Sequence, residues 1–221
     1  MQWTFGIITD GTQDDRLQIV LTSIRNQHVP EHEIIVVGNT ALTGSDLKVL
    51  TFDESIKEGW ITKKKNMIVN EAKYENVALM HDYLTLDPEW YANFEKFGDD
   101  WDVCMNRMVN PNGQRYRDWV SWAPIRHIPY DNHDHMEHMY VSGAYFCVKK
   151  SFYQDNPLDE SIVWGMGEDV EWSLRIRNKW NYRCNPDSVV RLLKHKAPQC
   201  HPYSPHGLSS RCLPEYPFQK L

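Results

Sequence analysis

The sequence predicts an α/β fold: one domain on a mixed, mostly parallel central sheet with helices on both faces. Three observations predict it. Short apolar segments alternate along the chain with segments whose apolar residues recur at helical spacing. One of the short segments, Glu-Ile-Ile-Val-Val at 33–37, carries an unbroken β-branched run, the pattern of a strand covered on both faces. The chain has 221 residues, 41% of them apolar and 24% charged, enough for one buried core and unlike a disordered chain.

The elements follow in order. Residues 3–9 are the first strand, closed by the turn Asp10-Gly11-Thr12. Leu17, Val20, Leu21 and Ile24 then share one helical face, and His28-Val29-Pro30 ends that helix. Residues 33–37 return as strand and break at Gly38-Asn39-Thr40, completing a βαβ unit, normally parallel and right-handed. Residues 47–52 read as a third strand, 62–72 as helix and 77–80 as a fourth strand. Asp87 as N-cap, with Pro88 at the first helical position, starts a helix whose buried face is Trp90, Phe94 and Phe97. Residues 101–105 are the next strand. From 109 to 139 periodicity dissolves, and so long a stretch reads as a functional or mobile loop. Residues 140–149 form a strand with an internal Gly143, 165–179 a turn and then a helix, and 182–184 and 189–193 two late strands. Five of the twelve prolines (Pro198, Pro202, Pro205, Pro214, Pro217) make residues 197–221 an irregular tail.

Composition excludes several classes. A formal net charge of -6 argues against a general nucleic-acid binder, which needs a basic face. No apolar run approaches the ~20 residues of a membrane span, and no basic leader precedes Trp3, so the expected location is cytoplasmic. The five cysteines lack Cys-x-x-Cys spacing and read as free thiols in a reducing compartment, with a Cys200–Cys212 bridge as the alternative. The oligomeric state is left open.

In a parallel sheet, ligands bind beyond the carboxyl ends of the strands. The predicted strand exits there are Thr9-Asp10-Gly11, Gly38-Asn39-Thr40 and His81-Asp82-Tyr83, all polar. There is neither Gly-x-Gly-x-x-Gly nor a P-loop. His81-Asp82 at a strand end suits a divalent metal bridging phosphates, or simply an Asp capping the next turn. In Trp164-Gly165-Met166-Gly167-Glu168-Asp169, two glycines precede a helix and two carboxylates occupy its first turn. Those carboxylates read either as helix-end charges or as a general base beside a group that holds a substrate hydroxyl. His133, His135 and His138 have a spacing that a transition metal accepts. They lack scaffold signals around them, so 109–139 reads as a lid or acceptor-side loop.

Five segments in order resemble a GT-A glycosyltransferase of the family-2-like kind. They are the opening FGIITDGTQDDRLQIVLTSIRNQHVPEHEIIVVGN, then KKKNMIVNEA, LMHDYLTLDPEW, VSGAYFCVKKSFY and WGMGEDVEWSLRIRNKW. The last is also similar to the Trp-Gly-x-Gly-Glu-Asp of the β-1,4-galactosyltransferases. The resemblance implies a GT-A, Rossmann-like domain over residues 1–196. It implies transfer of a sugar from a nucleotide diphosphate sugar, a UDP-sugar by preference, to a carbohydrate or other hydroxyl acceptor, with inversion. It implies Asp169 as base with Glu168 supporting, and Thr9, Asp10, Gly11, Asn39, Lys65, Asn66, His81 and Asp82 on the nucleotide. Gly143, Trp164, Gly167 and Glu168 would meet the acceptor. A divalent cation, Mn²⁺ first and Mg²⁺ second, would sit on Asp82 and His195. The sequence departs from that family in having Tyr83 where the last carboxylate of its Asp-x-Asp stands, and Gly38-Asn39 where a pair of aspartates is usual. The rival readings are a non-catalytic nucleotide-sugar or glycan binding domain of the same fold, a sugar nucleotidyltransferase, and a retaining transferase.

Overall fold

The computed structural model describes residues 1–122 and 125–197. The chain opens with β1 (Trp3–Ile8), α1 (Asp14–Arg25), β2 (His32–Val37) and β3 (Leu47–Leu50). Next come α2 (Ile61–Glu71), β4 (Asn76–His81), β5 (Leu84–Leu86), α3 (Trp90–Phe97) and β6 (Val103–Val109). Then follow β7 (Val120–Trp122), β8 (Ile125–His127) and β9 (Met139–Tyr140), and finally β10 (Tyr145–Lys149), α4 (Lys150–Asp155), α5 (Glu168–Ile176) and β11 (Tyr182–Leu192).

The main sheet has the order β3-β2-β1-β4-β10-β6-β11-β5. Six strands run one way; β10 and β5 run the other. The fold is therefore the mixed, mostly parallel α/β architecture that the alternation predicts. Reversed β10 matters for the site. Tyr145, its first residue, pairs with Met80 near the end of β4, so residues 142–144 arrive where the parallel strands finish.

Both faces of the sheet are covered. On one, Trp3 and Phe5 of β1 meet Trp90 of α3 with ring centroids 4.9 and 5.6 Å apart. On the other, a Cβ at Gly6 would stand 2.2 Å from Cγ2 of Ile68 in α2, so only glycine lets that helix approach. The predicted apolar face of α1 is buried through Leu17, Val20, Leu21 and Ile24, with Asp14 and Asp15 in the first turn and Arg25 in the last, as the helix dipole favours.

Four local expectations change. Glu89, not Asp87, caps α3; Asp87 and Pro88 lie in the preceding turn, and the Trp90 N–H donates to the Asp87 carbonyl at 3.0 Å. The two late strands are one, β11, because a register shift between Asn185 and Val189 absorbs the intervening residues. The Asn185 amide donates to Ser188 Oγ inside that irregularity. The strand expected over 140–149 is split, β9 joining a second sheet. That sheet, β8-β7-β9, organises the segment 109–139, whose strands of two or three residues are too short to show alternation. Its anchor is Asp118, fully buried, which accepts from Arg115 (2.6 Å), the Tyr130 hydroxyl (2.6 Å) and the Met108 and Trp119 N–H groups.

Cys104 and Cys147 are buried free thiols. Cys200, Cys212 and the tail from 198 onward lie outside the described residues. Among the described residues, no helix is long and apolar enough to cross a membrane.

Candidate active site

Two cavities open at the carboxyl end of the sheet. The first, ≈ 540 Å³, lies over the exits of β1 and β4, where Thr9, Asp10, Arg16, Lys64 and Asp82 meet Lys194 and Lys196. Thr9 is buried between strands. Its hydroxyl donates to Asp82 Oδ2 at 2.8 Å and accepts the Gly11 N–H at 3.1 Å. Asp10 folds back on Thr12, accepting its N–H and hydroxyl. Asn39 is exposed, and its carbonyl oxygen packs 2.2 Å from where a Gly11 Cβ would be; it stands beside Gly11 rather than in the cavity wall.

The second cavity, ≈ 510 Å³, is walled by residues 142–144, the glycine turn before α5, and Glu168 and Asp169. Gly167, left-handed at φ 75°, is the N-cap of α5. Both carboxylates of the first turn converge on Gly143. The Gly143 N–H donates to Asp169 Oδ2 at 2.8 Å, and a Cβ there would lie 2.5 Å from Glu168 Oε1. Asp169 Oδ1 accepts the N–H of Val170. Lys65 completes the cluster from α2, its Nζ donating to the Gly143 carbonyl at 2.6 Å. Burial, and then the Asp169 charge, push the Glu168 carboxyl up to about 7, against the pull of Lys65. Burial lowers the Lys65 ammonium, while Glu168 and Asp169 oppose that shift.

The cavities adjoin at His81, Tyr83, Trp164 and Lys196, which line both. Trp164 is 70% exposed, an aromatic plate at the rim. His81 is half-buried, and its pKa falls well below the ordinary value through desolvation and the charges of Lys65, Lys196, Lys194 and Lys64. Lys196 Nζ donates to the Tyr83 hydroxyl at 2.5 Å, and the Nζ atoms of Lys194 and Lys196 each lie 4.3 Å from the Tyr83 ring centre.

The residues expected to hold a metal do not fit one. Asp82 Oδ1 takes a hydrogen bond from Arg16 Nη2 at 3.0 Å, Oδ2 takes one from Thr9, and Arg16 Nε also binds the Asp82 carbonyl at 3.2 Å. Asp82 is thus the counter-ion of Arg16. His195 is exposed past the end of β11. Burial raises the Tyr83 phenol, so it stays protonated and is a poor ligand for a hard cation. Among the described residues, no three His, Cys, Asp or Glu side chains gather as a metal set.

Two further expectations shift. Lys65 and Asn66 do not face the first cavity. Lys65 is buried under the carboxylate pair, and Asn66 is held by Leu158, Glu160 and Tyr153 as part of the frame. The residues that sequence reasoning misses are Arg16, Lys194 and Lys196. Lys194 and Lys196 bracket His195, and alternation past a strand end puts such neighbours on opposite sides.

No protein-family model matches the sequence, and no curated protein matches it. Solved structures do match. TarS 1–349 of S. aureus in complex with UDP-GlcNAc is 16% identical over 89% of this chain and 60% of its own, with a TM-score of 0.64. GalNAc-T7 with UDP, GalNAc and Mn²⁺ is 13% identical over 92% of this chain and 45% of its own, with a TM-score of 0.66. A further structure of S. aureus TarS 1–349 gives a TM-score of 0.59 at 16% identity over 88% of this chain and 59% of its own. The chain spans about three fifths of the length of TarS 1–349. The shared architecture is the GT-A fold of these glycosyltransferases.

Proposed function

We propose that this chain transfers a sugar from a nucleotide diphosphate sugar, a UDP-sugar by preference, to a hydroxyl of a carbohydrate or other acceptor. The observation that carries the reading is the convergence of Glu168 and Asp169 on Gly143, in the cavity that adjoins the pocket over the β1 and β4 exits. A donor with its nucleotide over Thr9, Asp10 and Gly11 would present its sugar at the junction under Trp164. An acceptor in the second cavity would lie against the carboxylate pair. The fold neighbours add support: TarS is found with UDP-GlcNAc and GalNAc-T7 with UDP and GalNAc. The Trp-Gly-x-Gly-Glu-Asp run and the family-2-like order of segments agree with it.

In this reaction the acceptor oxygen forms a bond to the anomeric carbon while the bond from that carbon to the diphosphate oxygen breaks. The electron pair leaves with the diphosphate, and the acceptor proton passes to Asp169. Attack opposite the leaving group inverts the configuration. Two N–H groups hold the Asp169 oxygens, so the base is oriented by backbone from two elements. Glu168, nearly enclosed, holds the acceptor hydroxyl. The test is Asp169→Asn. Loss of a general base costs about 10²–10⁴-fold in turnover, so UDP release from a UDP-sugar with acceptor should fall by that order while donor binding persists. Turnover near the wild-type rate would remove Asp169 from the mechanism, and a wild-type chain that binds donor and never releases UDP would be a binding domain.

A further inference from the structure

We propose that Lys194 and Lys196 take the place of a divalent cation on the donor's diphosphate. The inference rests on the nucleotide-sugar reading and departs from the metal that the fold family leads one to expect. Tyr83 stands where that family carries its last carboxylate, and the two ammonium groups lie on its ring, each 4.3 Å from the centre. Lys196 lines both cavities and Lys194 the nucleotide side, so their charge is concentrated where a donor's sugar–phosphate bond would lie.

The charge inventory of the first cavity singles them out. Arg16 is matched by Asp82, and Lys64 by Glu54. Asp10 and Glu58 also border it. Among the described residues, Lys194 and Lys196 have no carboxylate within salt-bridge reach, so their charge is not neutralised by the fold. Two like charges side by side, one exposed and one half-buried, are unfavourable until an anion arrives, and Lys196 is lowered to about 8 by desolvation, Lys194 and Arg117. A diphosphate reverses that, because an opposite charge favours the protonated amine. Lysine binds phosphate as a point charge without demanding planar geometry. As the anomeric bond breaks, the leaving oxygen gains negative charge beside two cations, which is the electrostatic stabilisation the step requires.

The experiment is titration calorimetry of the full chain with UDP and with uridine, in EDTA and in Mn²⁺. UDP should bind in EDTA with an affinity close to that in Mn²⁺. Lys194→Ala and Lys196→Ala should each weaken UDP about tenfold, the scale of one charge-assisted contact, while uridine binding, which reports the intact fold, stays unchanged. Lys196→Arg should recover most of the loss. Asp82→Asn releases Arg16 and should tighten UDP in EDTA. Binding of UDP only with Mn²⁺, abolished in Asp82→Asn, would overturn the proposal and leave sugar transfer standing. Equal UDP affinity in both Ala variants and wild type would also overturn it. Failure of UDP to bind in either buffer would overturn the nucleotide-sugar reading with it.

Discussion

Replacing Gly143 by alanine should disable the site while sparing the fold. A Cβ at that position would lie 2.5 Å from Glu168 Oε1 and 3.1 Å from Asp169 Oδ2, whereas ordinary contact begins near 3.4 Å. Glu168 must therefore retreat by about 0.9 Å, the difference between 2.5 and 3.4 Å, and Asp169 by a few tenths. The clash falls on the tip of a flexible side chain rather than on backbone, so the stability loss should stay near the lower end of the ~1–3 kcal/mol typical of overpacking. The catalytic loss should be large, because a misplacement of about 1 Å costs roughly 10²-fold when geometry is pre-set. The Gly143 N–H and carbonyl would still serve Asp169 and Lys65. The assay is UDP release from a UDP-sugar with acceptor, read as kcat/KM, beside thermal unfolding of the same samples. A variant with kcat/KM within about threefold of wild type would refute the argument that Glu168 acts from its present position. A variant that unfolds many degrees lower would refute the claim that Glu168 yields cheaply.

Two other outcomes follow from buried charges. Because Glu168 is held up at about 7 against an ordinary value of 4.5, the fold keeps its proton more tightly than the unfolded chain. Its contribution to stability is then full below about pH 4.5 and is lost as pH rises to about 7. Glu168→Gln, which stays neutral, should flatten that decline in thermal melts across the interval, and an unchanged slope would assign the decline elsewhere. Arg115→Ala strips the guanidinium from fully buried Asp118. Removing one partner of a buried pair costs about 3–5 kcal/mol, and the lower end is expected because Tyr130 and two N–H groups remain. Urea unfolding measures it, and a loss under about 1 kcal/mol would show that these donors alone satisfy the carboxylate.

The core architecture is legible because it is periodic. The β-branched run at 33–37 and the helical spacing of Leu17, Val20, Leu21 and Ile24 each report a local geometry repeated often enough to read. The carboxylate pair at 168–169 is legible for a different reason: it is contiguous with its glycine turn. What escapes is non-local or too short. Arg16 and Asp82 are 66 positions apart, and nothing in either stretch announces that one neutralises the other. The small sheet has strands of two or three residues, below the length at which alternation shows. At the end of β11 the choice among Lys194, His195 and Lys196 depends on which way successive side chains turn, and composition does not carry that information.

Lys65 has a consequence for the chemistry beyond holding Gly143. It is buried with Glu168, with Asp169 half-buried beside them, and it is the cation that both carboxylates face. One ammonium and two ionised carboxylates leave the triad with one net negative charge. Accepting a proton from a hydroxyl brings the triad to zero, the state that a poorly hydrated interior favours. In the proposed reaction, the burial that makes Glu168 costly to ionise also favours the site's uptake of the acceptor proton. Without Lys65 the Glu168 carboxyl would be pushed up further still, because the charge that opposes its burial would be gone.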